Sequence, residues 1–212
     1  ATQAAEVVCG VRYDGGTAIA IGADLADRHQ ISGMFSRRAD GFGPLAGLVN
    51  NAGILLPQSW IEDIRADRLQ LIFSVNVSGS FICAREAVKR MSARHGGNGG
   101  SIVNVSSAAS RLGSPGEYID YAASKGAIDS LTRGLSLEVA AYGVRVNAVR
   151  PGFIYTEIHA DGGEAGRVDR VSAALPMKRG GHPEEVAEAI HWLLSDAASY
   201  VTGNFIDLAG GK

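Results

Sequence analysis

Segments that read as strands alternate with segments that read as helices along all 212 residues, and this alternation restricts the fold more than any other feature. Such a chain builds a parallel sheet, because each helix carries the chain back to begin the next strand in the same direction. Strands are read at residues 17–23, 45–49, 101–105, 144–149 and 204–208. The run at 45–49, Leu-Ala-Gly-Leu-Val, is apolar without alternation, as suits a strand covered on both faces. Helices are read at 27–38, where Ile31, Met34 and Phe35 fall at helical spacing, and at 67–93, 121–142 and 183–195. Residues 1–12 read as the end of a helix broken at Asp14-Gly15-Gly16. The segment 183–195 opens with Pro183, Glu184 and Glu185, residue types that suit a helix N-terminus, and its apolar face is Val186, Ile190, Leu193 and Leu194. The expected fold is a single α/β domain over 1–212, a doubly wound parallel sheet of Rossmann type.

Composition narrows the function classes. A net charge of −2 with no run of Lys or Arg predicts no nucleic-acid partner. No apolar stretch is read as approaching the roughly 20 residues that cross a bilayer, and Ala1-Thr2-Gln3 has no signal-peptide pattern, so no membrane partner is expected. Cys9 and Cys83 are isolated and lack metal-ligand spacing, so they read as reduced thiols, and no metal is expected. The 28 glycines point to many tight turns or close backbone approaches to a ligand.

Four groups of residues carry chemistry. Tyr121 and Lys125 are four apart at the start of a predicted helix, so both project from one face. Alone, such a pair also describes a half-buried Tyr beside a solvated Lys. The strand at 101–105 delivers Ser106 and Ser107 to its carboxyl end, the edge where open α/β sheets hold ligands, although a Ser there is also a common turn former. Ser74-Val75-Asn76-Val77-Ser78-Gly79-Ser80 interrupts the helix at 67–93 with poor interior helix formers. Either the helix tolerates a kink, or Asn76 sits in a distorted turn that can hold a water. Asn50-Asn51-Ala52-Gly53 and Pro151-Gly152-Phe153-Ile154-Tyr155-Thr156 follow two further strands, as small loops against a flat ligand or as plain turns.

In type, order and spacing these residues resemble the short-chain dehydrogenase/reductase family: Asn-Asn-Ala-Gly at 50–53, the helical Asn76, Ser107, Tyr121-Ala-Ala-Ser-Lys125, Pro151 to Thr156, and the ending Asp207-Leu208-Ala209-Gly210-Gly211. The resemblance covers essentially the whole chain, and its general likeness is to glucose/ribitol dehydrogenases and 3-oxoacyl-carrier-protein reductases. Two departures stand out. The interval from Ser107 to Tyr121 is one residue longer than usual, with Ser114-Pro115-Gly116-Glu117 as the turn that absorbs it, and this leaves Ser106 open as an alternative. No glycine-rich phosphate loop occurs before Asp24.

The resemblance implies an NAD(P)-dependent oxidoreductase that moves a hydride between nicotinamide and a small-molecule carbonyl or secondary alcohol. Ser107 would bond the substrate oxygen and Tyr121 would exchange the proton. Lys125 would favour the phenolate and bind the nicotinamide ribose, and Asn76 would hold a water that links Lys125 to solvent. Asp24 and Leu25 would meet adenine, Asn51, Ala52 and Gly53 the adenosine side, and Pro151, Gly152, Ile154 and Thr156 the carboxamide and phosphates. NADP is expected ahead of NAD, as are a homotetramer and a cytoplasmic location. The substrate pocket would involve residues 54–60, 111–118 and 153–182, with Trp60, Tyr118, Phe153, Tyr155 and His159. The alternative is an inactive dinucleotide-binding or regulatory module of the same fold. Tyr118 is not the catalytic Tyr, because Ala122 stands where Lys is required. Family topology makes 17–23 strand three and 45–49 strand four, with strands one and two absent from the sequence and belonging between them. The flanking strands would then lie roughly 14 Å apart without direct pairing, and about 40–50 further residues would supply the missing unit.

Overall fold

Four parallel strands, β1 (Gly47–Asn50), β2 (Gly100–Val105), β3 (Val144–Pro151) and β4 (Phe205–Leu208), hydrogen-bond side by side in chain order. This computed structural model describes residues 2–38 and 42–212; Ala1, the first residue of the predicted N-terminal helix, lies outside them. The helices are α1 (Thr2–Tyr13), α2 (Arg28–Arg38), α3 (Ala66–Phe73), α4 (Ser80–Met91), α5 (Ala109–Leu112), α6 (Ile119–Val139), α7 (Ile158–Asp161), α8 (Arg167–Ser172) and α9 (Pro183–Leu194).

Side-chain alternation along β2 shows that the sheet is covered twice. Ile102 packs on one face with Ile31 and Phe35 of α2, Cys83, Ala87 and Met91 of α4, and Val146 of β3. Val103 points to the other face, against Val149, Ile154, and Val186 and Leu193 of α9. Both strand residues are fully buried, so β2 has no solvent face. The start of α9 follows its sequence signals: Pro183 takes the first turn, and the Glu185 carboxylate accepts from the His182 amide at 2.8 Å.

The predicted helix over 67–93 is three pieces: α3, a six-residue π-helical turn (Ser74–Gly79), and α4. The wide turn occurs where Asn76 turns inward to bond a neighbouring loop and where Gly79 lies against Leu25. A Cβ at Gly79 would come within 2.9 Å of the Leu25 carbonyl oxygen. Taken together, residues 66–91 are long and apolar enough to cross a membrane, a length the sequence expectation did not allow for. Here Ile72, Cys83, Ala87 and Met91 of that stretch lie in the core.

The largest difference is at residues 17–23, which form no strand. The sequence there is suitable for one, but a strand exists only through its ladder, and residues 17–23 pair with none of the four strands. β1 pairs with β2 only. Leu25, just beyond the segment, nevertheless packs against the core.

Candidate active site

The N-terminus of α6 is fixed by a buried ion pair. Asp120, in its first turn, accepts from Arg68 Nε of α3 at 2.7 Å and from the Tyr121 amide at 2.9 Å. Arg68 also donates to the Pro57 carbonyl at 2.6 Å, so one guanidinium joins α3, the loop after β1 and the first turn of α6. From that turn Tyr121 and Lys125 project together, with Lys125 Nζ 5.5 Å from the Tyr121 ring centre. Lys125 is 5% exposed, and its ammonium donates to the Val105 carbonyl at the end of β2 at 2.7 Å.

Burial sets the electrostatics. It pushes the Tyr121 phenol up to about 12, against smaller opposing effects from a hydrogen bond with Ser107 and the charge of Arg167. It also pushes the Lys125 ammonium down to about 8, opposed by the Asp129 carboxylate. Desolvation is thus the largest influence on the Tyr121 phenol, while the Lys125 ammonium is the cation against its ring.

The two serines after β2 separate cleanly. Ser106 is 2% exposed and donates to Asp129 Oδ1 at 2.7 Å, beneath α6. Ser107 Oγ accepts from the Ala109 amide at 3.1 Å, starting α5, and is within bonding reach of the Tyr121 phenol. Ser107 is therefore the serine that meets Tyr121.

Asn76 lies 1% exposed in the π-helical turn. Its Oδ1 accepts from the Ile54 amide at 2.8 Å, and its Nδ2 donates to the Ile54 carbonyl at 3.0 Å and to Ser124 Oγ at 3.2 Å. Both amide hydrogens are used within the protein. Gly53 lies between this side chain and the lysine: a Cβ there would stand 3.3 Å from Asn76 Oδ1 and 3.5 Å from Lys125 Nζ. Only glycine leaves that gap open.

A cavity of about 660 Å³ opens at the carboxyl edge of the sheet, within the range usual for small-molecule sites. Ser107, Tyr121 and Lys125 line it, with Asn51, Ala52 and Gly53 on one side and Pro151, Gly152, Ile154 and Thr156 on the other. Asp24 and Leu25 do not. Asp24 caps a turn, its carboxylate accepting from the Ala26 amide at 2.9 Å, and Leu25 packs against Gly79.

The cavity is also lined by Tyr118 and His159, both expected in the substrate pocket, and by Arg167, which fell only within the stretch 153–182. Tyr118 is 1% exposed, and its hydroxyl donates to the Gly162 carbonyl at 3.0 Å, so it is a wall and not an acid. His159 Nε2 lies 3.0 Å from the Ile154 carbonyl, which can only accept, so that nitrogen carries the proton. Burial lowers the pKa of this imidazole. Arg167 pairs with Glu117 and stands over the Tyr118 and Phe153 rings at 4.7 and 5.1 Å. Nothing in the sequence marks Arg167, because its role depends on α8 folding over the cavity. Among the described residues no cluster of His, Cys, Asp or Glu could hold a metal.

Four parallel strands wound on both sides by helices, with this crevice at the carboxyl edge, define a Rossmann-type α/β protein. Residues 2–212 match the family profile described as enoyl-(acyl carrier protein) reductase. The chain is 64% identical over 209 residues to the uncharacterized oxidoreductase YgfF of Escherichia coli (strain K12), covering 99% of this chain and 85% of that one. Over 201 residues it is 34% identical to glucose 1-dehydrogenase 2 of Bacillus subtilis (strain 168), covering 95% and 77%. A short-chain type dehydrogenase/reductase from Mycobacterium marinum superposes with a TM-score of 0.90 at 31% identity, over 97% of this chain and 80% of that one. Two further solved structures carry cofactors. NADP-bound ElxO has a TM-score of 0.80 at 32% identity, over 89% and 75% of the chains. NAD+-bound xylitol dehydrogenase has a TM-score of 0.87 at 28%, over 98% and 84%. The chain belongs to the short-chain dehydrogenase/reductase family of oxidoreductases.

Proposed function

We propose that this oxidoreductase is NAD(P)-dependent and interconverts a small-molecule carbonyl and its alcohol, with Tyr121 as general acid and base. The observation that supports this is the meeting of Ser107, Tyr121 and Lys125 in one cavity, with Asn76 behind Gly53. The cavity also suits the nicotinamide half of the cofactor. Small residues at Asn51, Ala52 and Gly53 let the main chain lie close to a flat group, and Lys125, with one of its three donors on Val105, keeps two for ribose hydroxyls. Pro151, Gly152, Ile154 and Thr156 form the opposite side. Asp24 and Leu25, off the cavity, are assigned the adenine end. Bound NAD(P) supplies or accepts the hydride.

The protein's own part is proton transfer and orientation. Ser107 donates to the substrate oxygen and holds it beside Tyr121. With its pKa near 12, Tyr121 is protonated at neutral pH and suited to give a proton to that oxygen in the reductive direction. In this reading a water bound near Asn76 Oδ1 and Lys125 Nζ, both of which approach Gly53, returns the proton. NADP is preferred to NAD, and the location is cytoplasmic, in keeping with the unpaired thiols of Cys9 and Cys83.

The oligomer is proposed to be a homotetramer. Ala84, Ala87 and Ile128 of α4 and α6 are buried within one chain. Phe81 and Leu137 remain 47% and 72% exposed on α4 and α6, and are the surface a second copy would cover. Light scattering that shows a monomer at micromolar concentration would overturn the tetramer.

The functional test is a panel of carbonyls and alcohols followed by nicotinamide absorbance with each cofactor. Tyr121→Phe should lower turnover by roughly 10²–10⁴-fold while cofactor fluorescence titrations stay near wild type. Cofactor binding without turnover on any substrate would favour a binding module instead.

A further inference from the structure

Ser107 is gripped on both sides in the sequence by one chain of charges. On the near side, Ser106 donates to Asp129 Oδ1 at 2.7 Å. Asp129 Oδ2 takes both Nε and Nη2 of Arg150, at 3.1 and 2.9 Å. Arg150, its guanidinium 4.0 Å from the Phe205 ring centre, also faces Asp207 of β4 at 3.8 Å. Asp207 pairs with Arg111, which lies on α5, the helix whose first amide, that of Ala109, donates to Ser107 Oγ. The chain thus runs from the residue before Ser107, through α6, β3 and β4, and returns to the helix after it.

We propose that Asp129, held by Arg150, is a positioning residue of the site: through Ser106 it fixes the strand end that carries Ser107 against the helix that carries Tyr121 and Lys125. The two elements are joined by Asn104 Nδ2 on Thr132 Oγ1 at 2.9 Å, by Lys125 Nζ on the Val105 carbonyl, and by Ser106 Oγ, which reaches the Lys125 carbonyl at 3.2 Å as well as Asp129. Of these, the Ser106 bond to Asp129 is the side-chain contact nearest Ser107 that ties the strand end to a charge on α6, and so sets the spacing between Ser107 and Tyr121. Asp129 and Arg150 are each 16% exposed, so solvent screens this pair far less than a surface pair. The two carboxylate oxygens are divided, one for Ser106 and one for Arg150, which leaves the carboxylate little freedom to turn.

Asp129 also lies one helical turn beyond Lys125, and its negative charge opposes the desolvation of that ammonium. Around Lys125 the groups that matter are Tyr121 and Asp129 on α6, the Val105 carbonyl of β2, Asn76 of the π-helical turn, Arg150 behind Asp129, and Arg167 of α8 beyond Tyr121. This assignment rests on the proposed roles of Ser107, Tyr121 and Lys125, but part of its test needs neither cofactor nor substrate.

The chain has four lysines, at 89, 125, 178 and 212, so 13C-lysine NMR can follow each one, with Lys125→Arg giving the assignment. Asp129→Asn should raise the acid dissociation constant of Lys125 by about threefold to tenfold and leave the other three unchanged. Arg150→Gln should move Lys125 in the opposite direction, and it keeps the test open should Asp129→Asn fail to fold. Asp129→Glu should restore most of the wild-type titration. Ser106→Ala, which keeps the charge, should leave that titration near wild type but lower kcat several-fold at unchanged cofactor KM. In turnover assays, Asp129→Asn should move the fall of kcat at high pH to lower pH. An unmoved Lys125 titration in a folded Asp129→Asn, or wild-type kcat in Ser106→Ala, would overturn the assignment. Full activity in Tyr121→Phe would instead refute the catalytic roles on which it rests.

Discussion

Removing Arg68 should destabilise the protein more than removing its partner, and the reason lies in unequal burial. The Asp120 side chain is 1% exposed, whereas that of Arg68 is 16% exposed. Arg68→Ala leaves a buried carboxylate with the Tyr121 amide as its one remaining donor. Stripping one partner from a buried pair in this way costs about 3–5 kcal/mol. Asp120→Ala leaves a guanidinium that still donates to the Pro57 carbonyl and can reach water, so about 1–2 kcal/mol is expected. Arg68→Met with Asp120→Leu removes both charges and should fall well below Arg68→Ala alone, since no buried charge is left unpaired. Urea unfolding followed by circular dichroism gives each value from the midpoint at constant slope, and adding the Arg68→Ala/Asp120→Ala double variant closes a cycle that isolates the coupling. If Arg68→Ala costs less than about 1 kcal/mol, or no more than Asp120→Ala, then the pair behaves as a surface pair and the burial reasoning is wrong.

Three further outcomes follow from the site. Lys125→Met should abolish turnover yet stabilise the protein at pH 7 by about 1–2 kcal/mol, because relief of a buried charge exceeds the loss of one bond to Val105; a lower melting temperature would refute this. The same burial gives wild-type stability a defined pH course. Between about 8 and 10.5 the unfolded chain holds the lysine proton that folded Lys125 has released, so that group's contribution rises with pH. Between 10.0 and about 12 the folded state keeps a proton on Tyr121 that the unfolded chain loses, so the Tyr121 contribution, full below 10.0, is lost across that window; denaturant titrations of the wild type against the Lys125→Met and Tyr121→Phe variants would read both differences. Gly152→Ala would set a methyl 2.9 Å from the Ala209 Cα, and the resulting overpacking should cost about 1–3 kcal/mol in thermal unfolding; a neutral result would mean that the C-terminal segment yields freely.

Much of this arrangement could be read from residue order because it depends on local rules. Tyr121 and Lys125 share a face by helical spacing alone, and β2 ends where its apolar run ends, which delivers Ser107 to the carboxyl edge. The run from Ser74 to Ser80 signalled a distorted helix through its poor helix formers, and the distortion is there. What escaped depends on partners far away in the chain. Residues 17–23 have the composition of a strand, but composition supplies only one side of a ladder. Ser106 and Ser107 are chemically identical neighbours, and only the position of Asp129, 23 residues on, turns one of them inward. Arg167 enters the cavity from a six-residue helix whose sequence is that of an ordinary exposed segment. The effect of Lys125 on Tyr121 was expected from charge alone, whereas burial, which no motif records, decides both values.

The π-helical turn at Ser74–Gly79 makes the reading frame of one long helix part of the site. A wide turn accommodates an additional residue, and each residue advances a helix by about 100°. Upstream of it, α3 presents Arg68 to α6; downstream, α4 presents Cys83, Ala87 and Met91 to the sheet. Deleting one residue from the turn would let the segment relax into an uninterrupted α-helix with better local geometry. It would also rotate Arg68 away from Asp120 and withdraw Asn76 from Ile54, while the sheet-facing half kept its place. The site therefore tolerates exchange of side chains within this segment better than any change in their number, and shortened relatives or designs would keep the core and lose the face that meets the cavity.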